Sequence, residues 1–544
     1  MTRVKSRLLT LVLWLQPGVA MLAVTALAAA LSTQPSFEAG SAAEPVDAEV
    51  ALSPNDEGLP ERHFNLRRAG LEIGSAMAVG LAWYQWQIEL NERDFDFDRT
   101  WHDQWRRLTG AGYRLDDNVI SLNVGHAFMG TIYHQFARAN GGSAAQAMLF
   151  DFVTSSTWEF AVEHREVFSI NDTIVTSAGG VALGESLFQL GDYFARSEPT
   201  FANLALMTLV SPGRALAYWL GDRPTTRPTP GAFGFAGDAA HRFALTAGGA
   251  HVTISAAAGG GSSAWQSDLG LDVDLVNIAS YGHEANTRRT LHGGEFTHTE
   301  VERIGGQDGA SHIALSSRAT LWGLYRQNTT TTDAGADAPE RVRGAATFIG
   351  SATAFDVASD DLGRTTDFVA SVHLPGPAVD ATLFRDRLTL RATADVYPDF
   401  TMVRPWALRD LPTGAAREGM KSTLVDNDYY YAFGMTSAAR FEAAFLRARA
   451  GVDVAFSHFD SIEGLDRHQI AYTNPNGIYH GAVTRDDDLT DQRFKPRVYS
   501  ESPLPASNVR LGVSLDYQSR RGTAPDVVRS NDDVRFGIHA AYAL

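Results

Sequence analysis

The spacing of apolar positions changes once along this chain, and the change divides the protein in two. Between positions 62 and 222 apolar residues recur at helical spacing, and from Arg242 onward they recur at every second position. In the first part, positions 71–86 are almost wholly apolar, which predicts a buried helix too interrupted to span a bilayer. Four more helices are predicted over 118–139, 143–163, 173–195 and 201–220. Several of these are apolar on more than one face, so they need cover on most sides, from one another, from a membrane or from a barrel. The expected arrangement docks them at the periplasmic mouth of a barrel or against the inner leaflet around it. Asp172 stands before the fourth helix as its N-cap, and Gly180 and Gly184 on its surface would let a second backbone approach closely.

In the second part, Leu269, Leu271, Val273 and Leu275 alternate with Asp268, Gly270, Asp272 and Asp274. One face is apolar and the other carries three carboxylates. The same rhythm returns in Val452, Val454 and Phe456 against Arg449 and Asp453, and in Leu511, Val513 and Leu515 against Arg510 and Asp516. It returns last in Val534, Phe536, Ile538, Ala540, Tyr542 and Leu544. Strands of this kind, divided by turns and by polar stretches at 329–340, 408–428 and 486–505, form the pattern of a transmembrane β-barrel. A soluble sandwich would also alternate, but the N-terminal export pattern and the amphipathic final strand favour the membrane. The fold class expected is α+β: an N-terminal all-helical domain followed by an antiparallel transmembrane β-barrel of about 10–12 strands. Asp268, Asp272 and Asp274 would face the lumen, with Arg385, Arg387, Arg391, Arg447 and Arg449 opposite them, and in a narrow barrel such pairs fill the interior.

Composition adds location and removes several kinds of chemistry. Arg3, Lys5 and Arg7 precede an acid-free apolar run, so residues 1–31 read as a signal peptide, with small residues at Ala26 to Ala30 for cleavage. Residues 32–61 read as a disordered linker, 62–222 as the helical domain, 223–240 as a Pro/Thr/Gly-rich linker and 241–544 as the barrel. The expected location is the bacterial outer membrane, with outer-membrane lipid and the barrel-assembly machinery as partners. A net charge of −17 without a basic cluster excludes nucleic-acid binding through phosphates. The chain has no cysteine, which excludes disulfides, thiol nucleophiles, cysteine-bound metal and a lipid anchor on cysteine. Neither a cofactor nor a metal is expected.

The unusual residues lie between Trp101 and Glu185. In order they are Trp105, Asp116 and Asp117, Asn123, His126, Gly130, Tyr133, Arg138, Trp158 and Glu159, Glu163, Asn171 and Asp172, Gly179 and Gly180, and Gly184 and Glu185. This series resembles the bacterial family catalogued as domain of unknown function 3943, whose members look like secreted envelope proteins. Ala127 stands where that family's pattern has proline, and Met129 where it often has a second histidine. The resemblance implies an envelope location and no particular reaction.

The residues themselves allow two readings. His126 and His134 would lie about 80° apart around a helix, a poor arrangement for one metal. Glu159 and Glu163 share a helix face and could form a carboxylate site with His126 or His164, but a salt-bridge network with Arg138 and Arg165 needs the same residue types. A nucleophilic triad can be drawn from Ser156 or Ser169 with His126 and Asp172. Ser169-Ile-Asn-Asp172 before an apolar helix is more simply a capping segment, in which Asn171 and Asp172 satisfy backbone N–H groups. Gly179-Gly180 lacks the Lys-Ser/Thr of a phosphate loop. A structural or transport component of the outer membrane is therefore favoured over an enzyme. The alternative is a lipid-modifying hydrolase or acyltransferase with a polar centre at His126 and Ser169, Asp172 or Glu159.

Overall fold

The computed structural model describes residues 63–89, 118–162, 168–224, 227–255, 262–305, 311–332, 341–361, 366–410, 422–462, 487–505, 507–524 and 527–543, with Trp105, Leu108, Thr109, Leu115, Arg417 and Met420. The signal peptide and linker expected over 1–61 lie outside these residues, as do Asp116, Asp117, Glu163, His164, Arg165 and Leu544.

The second half is one antiparallel sheet of β1 (Ala240–Ser255), β2 (Ser262–Val276), β3 (Ala285–Leu291), β4 (Phe296–Gly305), β5 (Ser311–Thr332), β6 (Arg341–Asp361), β7 (Thr366–Asp386), β8 (Leu388–Arg404), β9 (Tyr430–Phe445), β10 (Ala448–Ser461), β11 (Thr490–Pro503), β12 (Val509–Ala524) and β13 (Val527–Ala543). Because β13 pairs with β1 and β5 with β6, twelve strands close into a barrel. The short β3 is the lower continuation of β4: both pair with β5, β4 along its first half and β3 along its second. Residues 292–295 separate them, and of the two only β4 pairs with β2.

Two sequence expectations fail within the barrel, one because lumen partners make a strand look polar and the other because alternation stops where strands turn. The stretch 486–505, expected as a loop, contains β11, whose Arg493 reaches Asp367 at 2.7 Å and whose Arg497 reaches Glu300 at 2.6 Å. Of the five arginines expected in the lumen, Arg391 and Arg449 are there, bonded to Asp380 and Glu501. Arg385, Arg387 and Arg447 instead sit exposed at strand ends and turns, where the inward–outward alternation stops.

The first half folds into α1 (Leu66–Glu89), α2 (Ile120–Ala139), α3 (Ala144–Thr157), α4 (Ile170–Ile174), α5 (Gly180–Arg196), α6 (Phe201–Val210) and α7 (Pro212–Trp219). A capping box starts α3: the Ser143 hydroxyl accepts from the Gln146 amide while the Gln146 side chain accepts from the Ser143 amide. The helix expected over 201–220 is two helices, because Pro212 has no N–H to carry the first one onward. Two π-helical turns interrupt the bundle. Trp158–Val162 ends α3, and Val175–Gly179 joins α4 to α5 in one rod.

This bundle lies against the outer wall of the barrel, which corrects the first of the two expected placements, docking at the mouth. One register row runs across eight strands through Phe243, Val273, Thr299, Ser317, Phe355, Val372, Phe400 and Phe433. The lumen residues alternate with these, so the row lies on the exterior. Its first seven members are buried, whereas Phe433 is 49 % exposed. The cover comes from helices: Val124, Ala127, Val175, Ala178 and Leu183 pack with Phe355, Val372 and Phe400, and Tyr193 and Phe194 pack with Phe243 and Val273. The physical reason is room. The mouth and lumen are already filled, and the apolar helix faces find their cover on the wall.

The lumen is filled by the barrel's own side chains. Arg520 bridges Asp360, Asp367 and Asp533. Further in, Arg318 meets Asp395 at 2.7 Å, Arg440 meets Asp453 at 2.8 Å, and Arg242 bonds to both Asp272 and Asp274. At the rim where the chain enters β1, the β2–β3 connection folds inward, and Tyr281, Phe296, Tyr325, Phe348 and Phe384 close the opening. Between these layers is a chamber of about 340 Å³ lined by charged side chains.

The bundle depends on one crossing without side chains. A Cβ at Gly130 would lie 1.7 Å from the Thr176 carbonyl oxygen, and one at Gly180 2.5 Å from the Gly130 carbonyl carbon. Gly130→Val is expected to force α2 from the α4–α5 rod at a cost of about 1–3 kcal/mol or more. Limited trypsin digestion of membrane-inserted protein checks this: the helical domain should be cut faster while the barrel keeps its heat-dependent gel shift.

Candidate functional site

Two polar clusters are built where α2, α3 and α5 meet the barrel. The lower one centres on His134, brought beneath the α4–α5 rod by the glycine crossing; a Cβ at Gly184 would stand 3.0 Å from the His134 Cβ. His134 Nδ1 is 3.1 Å from Asp151 Oδ2 and its Nε2 is 2.8 Å from Glu185 Oε2. Glu185 also receives Arg138, at 2.8 and 3.0 Å, and the Gln189 amide at 2.9 Å. The backbone N–H of Gly294, in the gap between β3 and β4, donates to Glu185 Oε1 at 2.7 Å. His134, Asp151 and Glu185 are all fully buried.

Each charge in this cluster has an opposite or hydrogen-bonding partner: Glu185 is shared by Arg138, His134 and Gln189, and His134 lies between Glu185 and Asp151. The cluster is thus a desolvated ion network whose members satisfy one another, and removing one partner leaves the others buried without compensation.

The upper cluster gathers residues singled out in the sequence. His126 Nδ1 is 3.5 Å from Asp172 Oδ1 and 3.0 Å from the Leu122 carbonyl oxygen. Asn171 donates to Asp172 at 3.0 Å and to Asn123 at 3.4 Å, and Asn123 donates to the Tyr429 and Tyr431 hydroxyls at 2.9 and 2.5 Å. Glu159, on the first π turn, accepts from the Ser169 amide at 3.0 Å. The α4 helix begins at Ile170, and its cap is Ser169, whose hydroxyl accepts from the Asp172 amide at 3.3 Å and donates to Asn171 at 3.0 Å. The expected Asp172 cap is therefore displaced by one turn: Asp172 lies inside the helix, which turns its carboxylate toward His126. Chemically, the His126–Asp172 pair has the composition of an oriented general base. Ser169 is engaged as a cap, the less reactive use of a hydroxyl.

The remaining motif residues are structural in their surroundings. Tyr133 is buried with Ile73 and Phe136. Trp158 packs over Gly80 of α1, where a Cβ would lie 3.0 Å from its ring. Gly179 lies against Ala127 and Val372. Trp105 is exposed. Arg138 pairs with Glu185, replacing its expected partners Glu159 and Glu163, because α2 faces α5 at that level. The sequence reading missed His134 and Asp151 as partners. A signal existed, since Asp151 is the single charged residue of α3. In the lumen, Asp272, Asp274 and His298 converge as metal ligands would, but Arg242 bonds both carboxylates and Arg440 lies 3.0 Å from His298 Nε2, so guanidinium groups take the place of a cation.

Residues 112–213, the segment that carries both clusters, match the family described as Domain of unknown function (DUF3943). No curated protein matches the sequence. Among solved structures, the barrel is similar to a loop-deletion mutant of OmpT, an outer membrane protein of Vibrio cholerae, at 10 % identity and a TM-score of 0.16, over 56 % of this chain and 100 % of that one. It is similar to OccK2 (OpdF) of Pseudomonas aeruginosa at 10 % identity and 0.15, over 56 % and 98 %. A Pseudomonas aeruginosa FadL homologue gives 12 % and 0.18, over 56 % and 90 %. None of these values bears on what this chain does.

Glu185→Gln removes the anion that Arg138 and His134 share, at an expected cost of about 3–5 kcal/mol to the docked bundle. Urea titration followed by proteolysis of the helical domain should show the loss, and the double variant Glu185→Gln/Arg138→Met should recover part of it.

Proposed function

We propose that this protein is a sealed outer-membrane barrel serving as a scaffold that holds its helical domain along its outer wall. The observation that carries the reading is the lumen, crossed by arginine–carboxylate pairs and closed at one rim by five aromatic side chains. A water-filled porin needs an open polar channel, and here the polar groups bind one another. The turns support an orientation with the start of β1 and the end of β13 at the periplasmic rim: strands join there through as few as one residue, between Asp386 and Leu388, whereas positions 405–429 and 462–489 separate strands at the other rim. Outer-membrane lipid and the barrel-assembly machinery are the partners this reading requires. Purified protein in a planar bilayer is expected to give no stepwise conductance, whereas the variant Tyr281→Ala/Phe384→Ala/Arg520→Ala should conduct. Steady open-channel current from the native protein would contradict a sealed scaffold.

One observation favours a second reading, a lipid-modifying enzyme centred on His126. His126 and Asp172 lie 3.5 Å apart between two π turns, a form of helix distortion common at working sites. Lipid mass spectrometry of cells producing the native protein or His126→Ala tests it. A lipid species that depends on His126 supports the enzyme, and identical profiles remove it.

A further inference from the structure

We propose that the outward face of α2 and α3 is a lipid-contacting surface: the helical domain lies within the bilayer beside the barrel, and its partner is the hydrocarbon of the membrane. The inference rests on the reading of the barrel as membrane-spanning and adds where the helices sit.

Height is the first argument. Phe433 belongs to the exposed apolar belt, together with Met435, Phe441, Val513, Phe536 and Ile538. Its own register row continues through Phe400, Val372 and Phe355, which the helices bury. In a tilted barrel such a row climbs about 3 Å per strand, so over these three strands the covered residues stay within about 10 Å of Phe433 along the axis, less than the roughly 25 Å height of a lipid-facing band. The polarity of the bundle is the second argument. A helix pair at a water surface turns charge outward, and this one does the reverse. The basic and acidic residues of α2 are His126, His134 and Arg138, and that of α3 is Asp151. His134, Asp151 and Glu185 of the neighbouring α5 are buried at the seam, Arg138 reaches inward to Glu185, and His126 leans on Asp172. The exposed positions are Leu122 and Met129 on α2 and Ala145, Gln146, Leu149, Phe152, Val153 and Thr157 on α3, with no charged residue among them, and the five large apolar ones are exposed by 43–65 %. Apolar area of that kind, continuous with a barrel's lipid belt, marks a surface that water does not cover.

Length is the third. With 20 residues, α2 is roughly 30 Å long, the thickness of a bilayer's hydrocarbon core. Among the described residues no helix is long and apolar enough to cross a membrane by hydropathy. Such a count averages all faces of a helix, whereas here the polar face is spent on the barrel and on neighbouring helices, and lipid meets only the other.

The absence of native cysteine makes the test direct. Single variants Met129→Cys, Phe152→Cys and Leu149→Cys on the helices, Ile538→Cys on the barrel belt and Asn508→Cys in a turn are labelled with bimane. Each is reconstituted as the full chain in phosphatidylcholine vesicles with brominated acyl chains, and the heat-dependent gel shift verifies folding. At the helix positions and at Ile538, bromolipid should reduce emission about twofold, with iodide quenching about tenfold weaker than at Asn508. Lipid quenching at Ile538 with iodide quenching at the helix positions overturns the proposal and leaves the barrel standing. Shielding of the helix positions from both quenchers also overturns it, assigning that face to a second copy or another protein. Iodide quenching at Ile538 overturns the barrel reading and this one together.

Discussion

A backbone amide that loses its strand partner needs another acceptor, and at Gly294 that acceptor is a carboxylate from a different domain. The gap at 292–295 interrupts one wall position of the barrel, and Glu185 fills it from outside. The same carboxylate holds Arg138 and His134, and His134 holds Asp151, so one anion ties α2, α3 and α5 to each other and to the sheet. The wall beneath is shaped for this contact. Thr297, Thr299, Ser317 and Ala319 are small exterior residues, buried under the helices where bare strands carry Phe, Val and Leu. Ser186 donates to the Arg318 carbonyl oxygen at 3.0 Å across the same strip.

From that junction the division of labour follows. The barrel closes its edges by circular pairing and its interior by ion pairs, which leaves its exterior as the surface available for a domain. Helices α2 and α3 in turn hold Arg138, His134 and Asp151 inward, cross the α4–α5 rod at Gly130, and present large apolar side chains outward. The outward apolar positions serve the scaffold reading in both halves of the chain, and the inward polar ones, His126–Asp172 above and His134–Glu185 below, lie along the seam.

Much of the barrel was legible because alternation is a local property. The acids of β2 and the apolar faces of β12 and β13 reported their sides directly, and the twelve closed strands fall within the expected 10–12. β11 escaped because Arg493 and Arg497 reach into the lumen to partners far away in sequence, Asp367 and Glu300. In the helical half, element positions could be read from spacing, but the cap at Ser169 could not be separated from Asp172 without backbone geometry. His134 escaped for a related reason: spacing relates it only to His126 on its own helix, while its partners, Asp151 and Glu185, lie on two others. Which side of the wall the helices occupy is a tertiary fact that no period in the sequence carries.

The placement of the helices on the outer wall is tested most directly by cross-linking. A Cβ at Gly179 would lie 3.3 Å from Val372 on the exterior face of β7, whereas the neighbouring His373 points into the lumen, bonded to Asp399 at 2.6 Å. In the cysteine-free chain, Gly179→Cys paired with Val372→Cys should form a disulfide under mild oxidation in intact membranes, and Gly179→Cys paired with His373→Cys should not. A cross-link through position 373 in place of 372, or none at either, would contradict the account.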